Sequence, residues 1–159
     1  MTKVIIEATA TDFAALLAGK APRNLFLVND SELAPPEILA MLAGLAATIR
    51  TGFEPAAWML VEASEIVGLC SLVRAPEQGE LNIGYGVAPT RQGRGIAGRA
   101  IGEILHWARH DPRVNLVTAE TAIGNLASQR VLERNGFARC GERHDAEDGQ
   151  LICWEVRTS

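Results

Sequence analysis

The chain has no apolar run long enough to cross a bilayer and no cysteine pair at CxxC spacing. Its three cysteines, Cys70, Cys140 and Cys153, lie far apart, which offers no zinc site and is typical of a reducing compartment. The first residues meet an acidic side chain at Glu7 and do not resemble a secretory signal. We therefore expect a cytoplasmic protein that holds no metal and binds no membrane.

The chain also lacks an excess of basic residues. It has 15 lysines and arginines against 19 acidic residues, a net charge of -4, whereas general nucleic-acid binding needs a broad basic face. This charge argues against a nucleic-acid partner. No repeat, low-complexity tract or linker divides the sequence, and a chain of 159 residues can bury a sizeable core. We expect residues 1–159 to form one domain, as a monomer or a homodimer.

The apolar pattern predicts small elements first, with a strand at 3–8 and helices that open at Thr11 and at Pro35. Two antiparallel strands should follow, turning near Ser64. The order is then strand, helix, strand, helix, strand, strand, and residues 96–108 carry a clean apolar helical stripe. The strands flanking that helix should run parallel and the last pair antiparallel. We therefore predict a mixed α/β (α+β) fold, with one mixed sheet of about six to seven strands flanked by about four helices.

One turn in this acidic protein is rich in glycine and purely cationic. The segment VAPTRQGRGIAGRA, residues 87–100, has three glycines and three arginines, and no carboxylate lies between Glu80 and Glu103. A helix N-terminus after a strand exposes unpaired N–H groups with a partial positive charge, which glycines let an anion approach. Arg91 and Arg94 would add full charges. The turn predicts a phosphate or pyrophosphate site, the alternative being a tight turn with solvated arginines.

Two cofactors suit such a turn. GRGIAG has the G-x-G-x-x-G form of a dinucleotide site, and Glu120 ends a strand 22 residues after Gly98. Against this, four residues, 89–92, separate the strand from the first glycine, whereas a dinucleotide fold turns at once. Only 39 residues follow Glu120, too few for a second nucleotide half. An NAD-dependent oxidoreductase is therefore the less favoured alternative.

The other cofactor is coenzyme A. QGRGIA, residues 92–97, matches the Q-x-x-G-x-A pyrophosphate signature of the GNAT N-acetyltransferase superfamily. ELNIGYGVAPTRQGRGIAGRAI resembles that family's central strand, turn and helix, and AETAIGNLASQRVLERNGF resembles its next strand and helix. The N-x-x-S-x-x-x-L-x-x-x-G-F and IGY patterns are most similar to the branch of ribosomal-protein N-terminal acetyltransferases. The resemblance covers residues 58–156 and leaves 1–57 as variable substrate-side elements.

The resemblance implies the GNAT fold, acetyl-CoA as cosubstrate and no metal. It places pantetheine beside the backbone of Tyr85 to Ala88, in a gap where the central strand splays from its parallel neighbour, with the Val87 N–H near the thioester oxygen. It also implies contacts from Asn125 to the pantetheine amides and from Ser128 to the sulfur region. The residues expected at the pyrophosphate are Arg91, Gln92, Gly93, Arg94, Gly95, Ile96 and Ala97. From the residues alone, Asn125 is equally an N-cap and Ser128 a first-turn polar residue.

The sequence departs from the family at two catalytic positions. Asn82 stands where a glutamate often serves as base, and Leu132 where many relatives have a tyrosine as acid. Glu80 shares a strand face with Asn82 and is our first candidate for a base acting through water, with Glu120 second. A solvated carboxylate is the alternative reading of Glu80. Ser128, one turn before Leu132, is the candidate for steadying the leaving sulfur.

These patterns predict an enzyme that moves an acetyl group from acetyl-CoA to a primary amine by direct attack. The acceptor is a small molecule or a protein N-terminus, and the acidic balance favours a cationic one. The alternatives are a CoA-binding module without catalysis and, less favoured, the NAD-dependent oxidoreductase.

Overall fold

The computed structural model describes residues 4–159, so the first three residues of the predicted domain, and Lys3 of the predicted first strand, lie outside it. The strands are β1 (Ile5–Glu7), β2 (Phe26–Leu27), β3 (Ala57–Glu62), β4 (Glu65–Leu72), β5 (Glu80–Val87), β6 (Leu116–Ala122), β7 (Ala138–Asp145) and β8 (Gly149–Arg157). The helices are α1 (Ala10–Leu17), α2 (Pro36–Ile49), α3 (Ile96–Arg109) and α4 (Leu126–Arg134), with a short 3-10 helix at Pro89–Arg91.

All eight strands join one mixed sheet in the order β1-β3-β4-β5-β6-β8-β7, with the two-residue β2 beside β4. The pairs β5–β6 and β2–β4 are parallel and the others antiparallel. This confirms the predicted mixed sheet with four helices in the described part of the chain. The parallel β5–β6 pair is confirmed too, because the crossover through α3 returns the chain in the same direction.

The helices cover the sheet in two pairs, α1 with α2 and α3 with α4. Leu69 of β4 lies opposite Gly86 of β5, and Ser71 lies opposite Gly84. These four residues are on the side of the sheet that faces α2. The next residue along β5, Tyr85, points the other way and reaches α4. Alternate residues of β5 therefore face two different cavities.

The first helix begins two residues earlier than predicted. Thr9, not Thr11, is its N-cap, since the Thr9 hydroxyl accepts a hydrogen bond from the Asp12 N–H at 3.3 Å. The Asp12 carboxylate accepts the Thr9 N–H at 2.8 Å in return, which completes a capping box. Thr11 lies inside the helix, two residues after this cap. The predicted opening of α2 at Pro35 is confirmed, with Pro36 as its first residue.

The parallel pairing of β5 with β6 stops at Ile83 and Ala119, although β5 continues to Val87. Beyond Ile83 the two strands separate, and β5 remains paired only with β4. The same stretch is held close to β4, because a Cβ on Gly68 would collide with the carbonyl oxygen of Gly86. The splay opens a gap at the C-terminal end of β5, where the chain enters the glycine turn.

No helix within residues 4–159 combines the length and apolar character that crossing a membrane requires.

Candidate active site

The gap between β5 and β6 leads into a cleft of about 490 Å³ bounded by β5, the glycine turn and α4. Nine of the residues predicted to bind the cofactor line this cleft: Tyr85, Val87, Gln92, Gly93, Gly95, Ile96, Ala97, Asn125 and Ser128. The predicted residues Arg91, Arg94 and Glu80 lie outside its lining. Residues far apart in the sequence thus meet where the sheet opens.

The free edge of β5 turns main-chain groups into the gap. The Val73 N–H donates to the Asn82 carbonyl oxygen, and the Ala88 N–H donates to the Val67 carbonyl oxygen. The main-chain groups of Asn82 and Ala88 therefore point toward β4. Because main-chain groups alternate in direction along a strand, those of Tyr85 and Val87 face the opposite side. That side has no partner strand beyond Ile83 in the described chain. The Val87 N–H is therefore directed into the cleft, where a developing oxyanion can accept it.

The glycine turn presents the N-terminus of α3 to the same cleft. Gly95 is the N-cap in the left-handed conformation (φ 77°) and offers no side-chain acceptor to the first helical N–H groups. Gly93 has φ 81°, a conformation that favours glycine. The Gln92 amide donates to Val87 O at 3.0 Å and ties the turn back to β5, and Ile96 is buried beneath it. An anion here meets open main-chain donors and the positive end of the helix dipole.

The turn's arginines form ion pairs with carboxylates of the protein itself, and the predicted contacts of Arg91 and Arg94 with the cofactor stay a prediction. The Arg91 side chain is only 12% exposed and donates to Glu65 at 2.6 Å and to Asp30 at 3.0 Å. Arg94 lies 3.4 Å from Glu62. The segment itself contains no carboxylate, but the fold supplies three from distant segments, and these neutralise the turn.

Two arginines that sequence reasoning missed line the cleft instead. Arg130 and Arg134 of α4 belong to one helical stripe with Ala127 and Val131, all facing the cleft. Neither arginine forms an ion pair within residues 4–159, so both are available to a phosphate. The two arginines are four residues apart and share a helix face with Ala127. This spacing was the signal in the sequence that could have indicated them as cofactor-binding residues.

Ser128 and Tyr85 meet on the floor of the cleft. The Tyr85 phenol oxygen and the Ser128 Oγ lie 2.8 Å apart and share a hydrogen bond. Burial raises the pKa of Tyr85, and the bond to Ser128 offsets only part of that rise. The phenol therefore keeps its proton at neutral pH. The Asn125 Oδ1 accepts the Ser128 N–H at 3.2 Å, so its N-cap role is confirmed while it also lines the cleft.

The Acetyltransferase (GNAT) domain family matches residues 4–138 of this chain. The chain belongs to the GNAT acetyltransferase family. The family prediction made from the glycine turn and the α4 motif is thereby confirmed.

One relative of this GNAT acetyltransferase matches over part of its length. Over 89 residues it is 32% identical to the uncharacterized N-acetyltransferase YjdG of Bacillus subtilis (strain 168). That match spans 54% of this chain and about half, 52%, of the relative's length.

Solved structures share the fold across nearly the whole chain. RimL, a ribosomal L7/L12 alpha-N-protein acetyltransferase in complex with coenzyme A, superposes with TM-score 0.73 and 18% identity over 98% of this chain and 95% of that one. The microcin C7 self immunity acetyltransferase MccE, in complex with acetyl-CoA and AMP, superposes with TM-score 0.73 and 14% identity over 98% and 93%. A GNAT acetyltransferase from Streptococcus pneumoniae gives 0.68 and 14% over 96% and 97%. The predicted GNAT fold is confirmed.

The two carboxylates considered as bases in this GNAT acetyltransferase lie in a separate cleft. Glu80 is 40% exposed and pairs with Arg74 at 3.1 Å, near the start of β5. Glu120 pairs with Arg143, and this hydrogen bond lowers the pKa of the Glu120 carboxyl. The structure brings neither of them to Tyr85 and Ser128. A base role for Glu80 has no support from this geometry and stays a prediction.

The two departures from the family pattern have structural explanations. The Asn82 side chain is buried and donates to the Thr118 Oγ1 at 2.8 Å, so it links β5 to β6 just before they separate. Leu132 is fully buried in the core and brings no proton donor to the cleft. The Tyr85 phenol, which the sequence reasoning treated only as backbone beside the cofactor, is the hydroxyl that the cleft has instead.

A second cavity of about 530 Å³ lies across β5 from this cleft, between β4, β5 and α2. The two cavities share Tyr85, Gly86 and Val87. A Cβ placed on Gly86 would have no described atom within 4 Å, so the space beside this residue is free. Ligands bound from opposite sides of β5 would meet at these three residues.

No group of three or more His, Cys, Asp or Glu side chains is arranged to hold a metal ion within residues 4–159.

Proposed function

We propose that this GNAT acetyltransferase transfers the acetyl group of acetyl-CoA to a primary amine by direct attack, the amine being carried by a small molecule or a protein N-terminus. The observation that supports this most is the shared boundary of the two cavities at Tyr85, Gly86 and Val87. A thioester bound in one cavity and an amine bound in the other would meet there, which is the arrangement that direct transfer needs.

The cofactor side follows from the chemistry of the cleft. The pyrophosphate binds at the N-terminus of α3, between Gly93 and Ala97, with Arg130 and Arg134 adding positive charge. The pantetheine arm replaces the missing strand partner of Tyr85 and Val87, and the Asn125 side chain flanks it. The acetyl thioester then lies beside the Val87 N–H.

The chemical step joins these groups. The neutral amine nitrogen attacks the thioester carbonyl carbon, and the Val87 N–H stabilises the oxyanion that develops. The C–S bond breaks as the C–N bond becomes an amide. One proton passes from the nitrogen to water, and one proton reaches the departing thiolate from the Tyr85–Ser128 pair or from water. The products are the N-acetylated amine and free CoA.

A CoA-binding module without catalysis is the second candidate. Asn82 and Leu132 favour it, since both are buried and neither offers the carboxylate or phenol that the family places there. It shares the cofactor side with the enzyme and differs in having no turnover.

Two measurements separate these possibilities. Acetyl-CoA is expected to raise the melting temperature while NAD does not, because only a ligand bound to the folded state stabilises it. Release of free thiol is then followed with acetyl-CoA and a panel of amines, beside a peptide with a free N-terminus. Amine-dependent release supports the enzyme, whereas binding without release from any acceptor identifies the non-catalytic module. An equal response to NAD would remove the CoA assignment itself.

A further inference from the structure

We propose that the cavity between α2 and the β4–β5 pair selects a primary amine carried on an apolar body, and that the Ser71 hydroxyl holds the amine group. This inference rests on the proposed function and names the acceptor class for the same site. It covers apolar monoamines and peptides with an apolar first residue, and it excludes polyamines as preferred acceptors.

Most of the residues that line the cavity are apolar. From α2 come Ile38, Met41, Leu42 and Leu45, β4 adds Leu69 and Leu72, and Val73 follows directly after β4. Three of the lining residues, Ile38, Met41 and Val73, are 42%, 55% and 46% exposed, and such a group of exposed apolar side chains in one cavity is typical of a ligand-binding groove. A wall of this kind favours a ligand that buries hydrocarbon.

The charge of the cavity opposes a polycationic acceptor. Among the described residues that line it, Glu32 is the only one with a carboxylate, and this side chain is exposed at the rim. A polyamine would bury several ammonium groups with one carboxylate to pair them, which is costly in an apolar site. The net charge of -4 suggested a cationic acceptor, but Glu65 and Glu62 pair with Arg91 and Arg94 and do not line this cavity.

Ser71 is the polar exception in this wall. Its side chain is buried, it lines the cavity, and its Oγ has no hydrogen-bond partner within residues 4–159. Gly84 lies directly opposite on β5 and adds no side chain next to Ser71. A buried hydroxyl without a partner destabilises the protein, so an unpaired one facing a cavity points to a ligand that pairs with it. The Ser71 oxygen can accept one N–H of the acceptor amine.

The same environment accounts for the missing base. An apolar cavity disfavours the ammonium form, so it lowers the pKa of a bound amine and increases the neutral fraction. The amine can then attack without a carboxylate at position 82, where Asn82 is occupied with Thr118. The amine's lone pair stays free while one of its N–H groups is held by Ser71.

Steady-state kinetics at saturating acetyl-CoA test this inference with three acceptors: phenethylamine, a short peptide with an N-terminal leucine, and spermidine. We expect kcat/KM for at least one apolar acceptor to exceed that for spermidine by about tenfold or more. The comparison of phenethylamine with the leucine peptide shows whether a free amine or a peptide is the better acceptor. Spermidine as the best acceptor overturns the inference while leaving the proposed function standing. No thiol release with any acceptor overturns the proposed function, and this inference with it.

Two variants locate the effect in the cavity. Met41→Glu adds a carboxylate to the mouth and should lower the preference for apolar amines over spermidine by about tenfold. Ala40→Glu is the matched control, because the neighbouring residue is exposed on α2, outside the cavity lining, and receives the same charge. An equal change of preference in both variants contradicts the proposal.

Ser71→Ala tests the hydroxyl. We expect the KM of the apolar acceptor to rise about fivefold or more, with the KM of acetyl-CoA unchanged. The melting temperature of the free protein should stay the same or rise, because the variant removes an unpaired buried hydroxyl. A purely structural serine would instead lower the melting temperature and leave the acceptor KM unchanged, and that result refutes the role given to Ser71.

Discussion

The phenol oxygen of Tyr85 lies 2.8 Å from the hydroxyl oxygen of Ser128 and joins β5 to the first turn of α4 across the cofactor cleft. The two hydroxyls come from segments 43 residues apart, yet they share one hydrogen bond at the place proposed for the CoA sulfur. Ser128 alone is a poor acid, and Tyr85 supplies the polarising partner.

The Tyr85–Ser128 pair predicts coupled kinetic effects. Ser128→Ala and Tyr85→Phe should each lower kcat by about three- to tenfold, because each leaves the other hydroxyl without its partner. The double variant should lose clearly less than the product of the two single effects, as expected for residues that act together. A double-mutant cycle on kcat measures this coupling. Multiplicative losses would show that the two hydroxyls act independently.

Gly98→Ala should separate stability from cofactor binding. Gly98 lies in the first turn of α3 and lines the cleft, and an added Cβ meets no described protein atom within 4 Å. Alanine should therefore raise helix stability by up to about 1 kcal/mol while its methyl group intrudes on the phosphates. We expect a higher melting temperature and about tenfold weaker CoA binding by calorimetry.

Gly44→Ala is the matched control for that change. Gly44 is in the middle of α2 with no described atom within 4 Å of an added Cβ, and it lines neither the cleft nor the acceptor cavity. It should raise the melting temperature and leave CoA affinity unchanged. Gly95→Val is a poorer probe, because valine at φ 77° strains the backbone itself.

Arg130 and Arg134 should carry the salt dependence of cofactor binding. Arg130→Gln and Arg134→Gln are each expected to weaken CoA binding about fivefold at low salt, and the loss should shrink as added salt screens the charges. Arg109→Gln removes the same charge from the exposed far end of α3 and should have little effect. Titrations at two salt concentrations provide the comparison.

Arg91→Gln should behave in the opposite way. It leaves Glu65 and Asp30 without their partner, so the protein should lose stability while the folded fraction keeps its CoA affinity within about twofold. A large loss of CoA affinity without a loss of stability would restore Arg91 as a cofactor ligand.

Glu80→Gln tests the carboxylate that the sequence suggested as base. Glu80 is exposed, paired with Arg74, and located in a different cleft from the Tyr85–Ser128 pair. We therefore expect kcat/KM within about threefold of the unmodified enzyme, whereas loss of a working general base costs about a hundredfold or more. A hundredfold loss at unchanged melting temperature would establish Glu80 as the base and require a water path along Asn82.

Local patterns in the sequence were enough to predict most of the fold. The apolar stripe of α3, the Asn125 cap and the turn near Ser64 each depend on neighbouring residues, and the structure has all three. Thr9 was missed as the first cap because Thr11 has the same chemistry. Only the position of Asp12 relative to each threonine decides between them.

The features of the site that the sequence did not indicate all depend on long-range contacts. The arginines of the turn looked unopposed because their carboxylates lie 26 to 61 residues away in the chain. The cavity around Ser71 was not predictable either, since it forms only when α2 packs across β4 and β5. Sequence identified the cofactor side of the site well, because one continuous motif builds it, and gave little on the acceptor side, which three separate segments build.

The pairing between β5 and β6 is short, so a cofactor bound beyond it would help to hold the two parts of the sheet together. Only four residue pairs, from Glu80–Leu116 to Ile83–Ala119, join these two central strands. A ligand lying in the gap contacts β5 on one side and α4 on the other, so it would hold the C-terminal third of the chain against the rest of the sheet. The concentration of CoA would then determine how often the C-terminal third of the chain opens as a unit, and how fast proteases cleave the protein.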